Sequence, residues 1–210
     1  ATNVYRRDSD GNIITDPRPY AFMYQWQFCL DDCVCFGRTW EEFQKLIRSL
    51  EVNMNLSKNN RLVCYIHNFS YEWAFMRKFI EYEEGFFKEE GKPLKVLTAG
   101  GIEFRDSYAL SNMSLIKFCE NEKGVIHYKL DGGEYDYDQL RTPRTPLNDY
   151  EQSYCYNDVR GLCECIKSRL EDDTLASIPL TSIYASFKSL SVRTFVEVGL
   201  YATGDKSLAG

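Results

Sequence analysis

The stretch Arg61 to Ile80, RLVCYIHNFSYEWAFMRKFI, restricts the possible folds more than any other part of the chain. Leu62 to Ile66 is a short apolar run between polar residues, which predicts a strand buried on both faces, as a central parallel strand must be. The polar junction His67-Asn68-Phe69-Ser70 then leads into a helix expected from near Tyr71, which would pack back on the sheet. The junction is therefore the rim of a sheet. Ligands of open α/β sheets collect at the carboxyl ends of strands, so Asn68, Tyr71 and Glu72 are candidate site residues. A plainer reading stands beside this one: Ser70 as an N-cap and Glu72 as a first-turn acid favoured by the helix dipole need no chemistry.

The chain around this stretch reads as α/β. Ala1 to Pro19 is polar, with a turn at Asp10-Gly11-Asn12, and is expected to be a loop or loose arm. Ala21 to Leu30, AFMYQWQFCL, predicts a long strand, turned at Asp31-Asp32 and returned by Cys33 to Phe36 as a hairpin. Thr39-Trp40-Glu41-Glu42 has capping-box spacing and opens a helix through Leu50 with Phe43, Leu46, Ile47 and Leu50 on one stripe. Glu81 to Lys92 reads as a charged excursion. Leu94 to Leu97 and Ile102 to Phe104 flank Ala99-Gly100-Gly101 as a second hairpin. A short helix is expected over Ser114 to Cys119 and a long one over Leu147 to Leu170, with Gly132-Gly133 and the Thr142 to Pro146 stretch as the loop between. Hairpin strands, one βα unit and a final long helix indicate an α/β sheet of mixed direction.

At 210 residues, 44% hydrophobic and 15% aromatic, the chain has enough apolar material for one real core. A net charge of −6 argues against a generic phosphate-coating surface, which needs surplus Lys and Arg. It leaves room for a nuclease in which carboxylate-held metals face the phosphate. The eight cysteines lie in apolar segments without C-x-x-C spacing and read as reduced core thiols, which points to a cytoplasmic protein. No apolar run approaches the roughly 20 residues of a membrane span, so no membrane partner is expected.

In the last helix, YCYND places Tyr154 and Asp158 four residues apart and therefore on one helical face. A buried tyrosine beside an exposed aspartate is the ordinary version of such a pair. Here the apolar Val159, Leu162, Cys163 and Ile166 bury the adjoining face, and Glu72 belongs to the same expected rim.

At these residues the sequence resembles the proofreading 3′ to 5′ exonuclease domain of family B DNA polymerases, particularly the protein-primed bacteriophage type. HNFSYE resembles the family's second exonuclease motif, with Glu72 where an Asp is usual, and YCYND resembles the third, Tyr-x-x-x-Asp. FRDSY resembles the segment that grips single-stranded DNA, which maps to Ser107 and Tyr108. HYKLDGGEYDY resembles the lysine-containing loop, implying Lys129 as the catalytic lysine and Tyr137 as a strand ligand. The likeness runs from about Tyr20 to Thr181, so residues 20–182 form the exonuclease-like domain, 1–19 a polar arm and 183–210 a tail without assignment.

The resemblance implies a ribonuclease-H-like mixed sheet flanked by helices, of the DEDD exonuclease type. It implies Mg²⁺ or Mn²⁺ chemistry, in which two ions roughly 4 Å apart activate a water and stabilise the leaving 3′ oxygen. Asp158 and Glu72 would be metal ligands, Tyr154 would orient the water, and Asn68, Tyr71, Ser107, Tyr108 and Tyr137 would hold the frayed strand by stacking and hydrogen bonds. The implied partners are single-stranded DNA and a polymerase module, in the host cytoplasm for a phage protein.

One departure matters. The family's first motif is a strand carrying Asp-x-Glu, whose period of two aims both carboxylates to one face. It would fall just before Ala1, between the hairpin that starts at Ala21 and the strand at Leu62 in space. Asp149-Tyr150-Glu151 has the spacing but lies in the long helix, and Asp8-Ser9-Asp10 lies in a polar turn. Either the chain begins after that strand, or it is a truncated form, or Asp8 and Asp10 substitute. Without it, metal binding is expected to be weak or absent. Two function classes stay open: a metal-dependent exonuclease domain, and a catalytically silent nuclease-fold module that binds single-stranded DNA or a protein partner.

Overall fold

The computed structural model describes residues 2–4, 6–14, 20–137, 139–172, 178 and 180. The expected tail from 183 lies outside them. Near the start, β1 (Thr2–Val4) pairs antiparallel with β4 (Tyr20–Phe22), and β2 (Arg6–Arg7) pairs with β3 (Ile13–Ile14). Asp8 closes the turn between β2 and β3, its carboxylate accepting from the backbone of Asp10 and Asn12. The long strand expected over Ala21 to Leu30 is broken. Its second part, β5 (Trp26–Leu30), pairs with β6 (Cys33–Gly37) around the Asp31-Asp32 turn, where Asp31 takes the left-handed φ of 50° that a tight hairpin requires.

The capping box forms as the spacing predicts. Thr39 accepts from the Glu42 amide and Glu42 accepts from the Thr39 amide, opening α1 (Trp40–Asn53) with Phe43 and Ile47 on its buried stripe. Then come β7 (Leu62–Ile66) and α2 (Phe69–Met76). The helix begins two residues before the sequence expectation, and Ser70 lies inside its first turn rather than capping it. Asn68 occupies the cap position in the left-handed region at φ 58°, and the Phe69 amide is met instead by the Asp106 carboxylate at 3.3 Å. A partner 37 residues away thus supplies the cap, which no local pattern reveals.

The charged excursion is a strand, β8 (Tyr82–Glu89), followed by β9 (Lys92–Thr98) and β10 (Ile102–Asp106). Charged residues suit β8 because it is an edge strand, and charge on an edge discourages unwanted pairing. The β9–β10 turn forms where Ala99-Gly100-Gly101 predicts it. Gly101 has φ +94°, and a Cβ there would lie 2.5 Å from the Ser57 backbone nitrogen, so only glycine fits. Three α-helices follow among the described residues: α3 (Ser107–Ser111), α4 (Leu115–Asn121) capped by Ser114, and α5 (Asp149–Asp172). Asn148 and Glu151 exchange side-chain-to-backbone bonds at the start of α5, both at 2.9 Å, as a second capping box.

The main sheet has the order β7-β10-β9-β8, with β7 and β10 parallel and the other pairs antiparallel. This is a mixed sheet. One face carries Val96, Ile102 and Phe104 against α1 and α2, in a core with Phe43, Ile47, Phe69, Trp73 and Met76. Truncating the fully buried Phe69 to alanine would remove about 3–5 kcal/mol. A second core joins α3, α4 and α5 through Leu110, Leu115, Phe118, Leu162, Cys165 and Ile166, with Tyr65 of β7 packed against it. β7 therefore has apolar contacts on both faces, as its sequence predicts, but it ends the row instead of lying centrally. The β5–β6 hairpin forms a separate ladder, and among the described residues no strand lies between it and β7. Helix α5 packs on β5, β6 and β7, so it spans that gap. No helix among the described residues is long and apolar enough to cross a membrane.

Candidate functional site

The parallel strands β7 and β10 end side by side, Ile66 against Asp106, and each runs directly into a helix. Their junctions are laced together. Asp106 Oδ1 accepts from the amide of Phe69 on one junction and, at 2.9 Å, from that of Tyr108 on the other. His67 shares a 3.1 Å hydrogen bond with Ser107, and its ring meets the edge of the Tyr108 ring at 5.7 Å. Ser107 is fully buried, so its hydroxyl positions His67, whereas Asn68, Tyr71 and Tyr108 face solvent. Burial first, and then the positive charge of Lys129, push the His67 imidazole down to about 4, so it is neutral at physiological pH.

The second half of the site comes from α5 and the loop before it. Tyr154 and Asp158 share one face of the helix, as their spacing predicts. Lys129 Nζ lies 2.7 Å from Asp158 Oδ1 and 4.9 Å from the centre of the Tyr154 ring. The Tyr137 hydroxyl meets the Tyr154 hydroxyl at 2.9 Å. Tyr135 packs against both rings at about 5 Å, and its hydroxyl contacts that of Tyr24. Burial, together with the Tyr137 hydrogen bond, raises the Tyr154 pKa far above the phenol range, so Tyr154 holds its proton and acts through hydrogen bonds.

A glycine makes this approach possible. A Cβ on Gly161 of α5 would lie 2.3 Å from the His127 carbonyl oxygen, so the segment before Lys129 lies directly on the helix backbone. Glu164 holds that segment in place. It accepts from the amides of Ile126 and His127 at 2.8 and 3.0 Å and from the His127 ring at 2.6 Å.

Electrostatics connect the two halves. Glu72 is exposed to solvent, with enough protein packed around it to disfavour its charge. Burial raises its pKa first, and the negative charge of Asp158 raises it further. Asp158 is itself raised by burial, with Lys129 pulling the other way. The structure thus brings Lys129, Tyr137, Tyr154 and Asp158 into contact, with Glu72 sensing the charge of Asp158 and with Asn68, Tyr71, Ser107 and Tyr108 at the ends of β7 and β10. Sequence reasoning missed His67, Asp106, Tyr135 and Gly161. His67 opens the HNFSYE stretch and Asp106 lies within FRDSY, and Tyr135 is two residues from Tyr137 on an alternating EYDYD run.

Among the described residues no group of three or more His, Cys, Asp or Glu side chains is placed to hold a metal ion. The acids at hand are Glu72 and Asp158, whose pKa values burial raises, and Asp158 is already paired with Lys129. Mg²⁺ keeps several waters and gains little from so poor a donor set. These two carboxylates by themselves do not fit a two-ion centre. Asp149 and Glu151 lie at the start of α5, where Glu151 is committed to Arg141 and the Asn148 cap, and Asp8 is committed to its own turn.

The class defined by fold and site is a mixed α/β domain whose parallel strand ends open on a tyrosine-lined, lysine-bearing acidic rim. Its likeness to solved structures is to Phi29 DNA polymerase. In the ternary complex with primer-template DNA and incoming nucleotide, the match has a TM-score of 0.57 at 12% identity, covering 81% of this chain and 30% of the polymerase. In the complex with single-stranded DNA the TM-score is 0.57 at 12% identity, covering 89% of this chain and 33% of the polymerase. The likeness is one of fold, and the chain spans about a third of the polymerase's length. No protein-family model matches the sequence, and no curated protein matches it.

Proposed function

We propose that this chain is a 3′ to 5′ exonuclease-type domain of a phage-type family B DNA polymerase, with a ribonuclease-H-like fold, that receives a single-stranded 3′ end at the rim of β7 and β10. The supporting observation is convergence. Lys129 and Tyr137 of the loop before α5 meet the Tyr154–Asp158 pair, with Lys129 Nζ 2.7 Å from Asp158 and the two tyrosine hydroxyls 2.9 Å apart, and the charges of Asp158 and Lys129 are felt by Glu72 and His67 at the end of β7. The Phi29 structures with bound DNA add weight to a nucleic-acid partner.

In this reading the exposed Tyr71 and Tyr108 offer faces on which bases stack without selection, and Asn68 contacts the strand beside them. Lys129 holds Asp158 in place and supplies positive charge near the phosphate. Tyr154, fixed by Tyr137, orients the attacking water. Hydrolysis requires further carboxylates beyond Glu72 and Asp158, because the residues described do not make a Mg²⁺ or Mn²⁺ centre alone. That shortage favours a second reading, a single-strand-binding module without hydrolytic activity.

The experiment is degradation of a 5′-labelled single-stranded oligonucleotide with Mg²⁺ or Mn²⁺, run beside a binding titration in EDTA. Shortening from the 3′ end that is lost in Asp158→Ala supports the exonuclease. Binding without shortening supports the silent module. Neither binding nor shortening overturns both.

A further inference from the structure

The β5–β6 hairpin meets α5 at a pair of thiols outside the rim. Side chains alternate along β5, so Cys29 lies on the face opposite Trp26, Phe28 and Leu30. Cys35 pairs across from Phe28 and Cys33 from Leu30, which puts both on the face away from Cys29. Helix α5 packs on β5, and the sulfurs of Cys29 and Cys163 lie 3.3 and 3.4 Å from the same oxygen, the carbonyl of Asp31. One turn before Cys163, Arg160 donates to that carbonyl and to the Asp32 carboxylate, so a guanidinium sits beside the two thiols.

Both thiols are half-buried. Hydrogen bonding from Cys29, then the Arg160 charge, pull Cys163 down to about 7 against the effect of burial. The same hydrogen bond and burial push Cys29 up. Depressed pKa, a neighbouring cation and partial exposure are the conditions that make a cysteine reactive. Cys119 and Cys165, whose sulfurs are 3.7 Å apart, are fully buried in the second core and closed to oxidants in water.

We propose that Cys163 and Cys29 form a peroxide-reactive pair that closes to an intramolecular disulfide, fastening the hairpin to the helix that carries Tyr154 and Asp158. The Cys163 thiolate attacks one oxygen of hydrogen peroxide, the O–O bond breaks, and hydroxide leaves to be protonated to water. The sulfur, oxidised by two electrons, becomes a sulfenic acid. The Cys29 sulfur then attacks it, the S–O bond breaks and a second water leaves with the Cys29 proton. Two thiols and one peroxide give one disulfide and two waters.

The full chain is exposed to hydrogen peroxide, quenched with iodoacetamide and mapped by mass spectrometry. Expected is a dithiothreitol-reversible loss of two hydrogens, with the Cys29 and Cys163 peptides linked, forming about tenfold faster than any link involving the other thiols. The C33S/C35S double variant keeps the link and C163S abolishes it. C29S, which leaves the fold of α5 untouched, exposes a Cys163 sulfenic acid that dimedone traps. A link between Cys33 and Cys35, a Cys119–Cys165 link formed as fast, or a C29S chain without a dimedone adduct at Cys163 overturns the proposal.

Discussion

Gly161→Ala is a substitution for which helix propensity and tertiary packing predict opposite signs. In a free helix, replacing an interior glycine with alanine gains about 1 kcal/mol. In this protein the new Cβ would lie 2.3 Å from the His127 carbonyl oxygen and 3.2 Å from Cys119 Sγ. Atoms do not approach so closely, and the His127 segment cannot simply drift, because three hydrogen bonds from Ile126 and His127 tie it to Glu164. Overpacking of a fitted contact typically costs about 1–3 kcal/mol, and loosening a hydrogen bond to a charged acceptor about 1.5–3 kcal/mol. Subtracting the helix gain from these two costs together leaves a net destabilisation of about 1.5–5 kcal/mol. The urea midpoint should therefore fall. Because the displaced segment also carries Lys129, the variant should lose the Lys129–Asp158 contact, so adding Lys129→Met should cost less in the Gly161→Ala background than in the parent. A Gly161→Ala protein as stable as the parent or more so would refute the close approach of this loop to α5, and full additivity of the two changes would refute their coupling through it.

Other outcomes follow from the rim and the sheet. Tyr108→Ala should weaken binding of a single-stranded oligonucleotide by about 1–3 kcal/mol, measured by fluorescence anisotropy, and an unchanged titration would remove Tyr108 from the groove. His67 has a folded-state pKa of about 4, below its ordinary 6.5, so the native state binds fewer protons than the unfolded one between those values. Its contribution to stability is complete above about 6.5 and is lost as pH falls toward 4; His67→Gln should flatten that part of the denaturation profile, and an identical slope in both proteins would contradict it. A strand paired on one edge protects alternate amides, and one paired on both edges protects nearly all of them. Hydrogen exchange should show the alternating pattern over Leu62–Ile66 if the edge of β7 facing the hairpin is open, whereas protection throughout would show that a segment outside the described residues, such as the β-branched stretch Thr194 to Tyr201, occupies it.

What the sequence determined by itself was local. The Thr39 capping box, the Ala99-Gly100-Gly101 turn and the register that puts Tyr154 and Asp158 on one face of α5 depend on residues within one or two turns of each other, so their chemistry can be read from spacing alone. Resemblance extended that to the choice of Lys129 and Tyr137, whose contacts with Asp158 and Tyr154 span 29 and 17 residues. Only the tertiary structure decided the rest. Helix α2 starts at Phe69 because Asp106 reaches across from β10, and β8 is a strand because β9 offers it an edge despite its charges. Leu62–Ile66 ends its row because pairing depends on which strands are present, which the apolar run itself does not encode. Gly161 looks like a weak point of the helix in sequence and is the place where the lysine loop comes close enough to reach Asp158. Spacing along the chain fixes which side chains share a face, but burial, pairing and the pKa of each group depend on neighbours that are close only after folding.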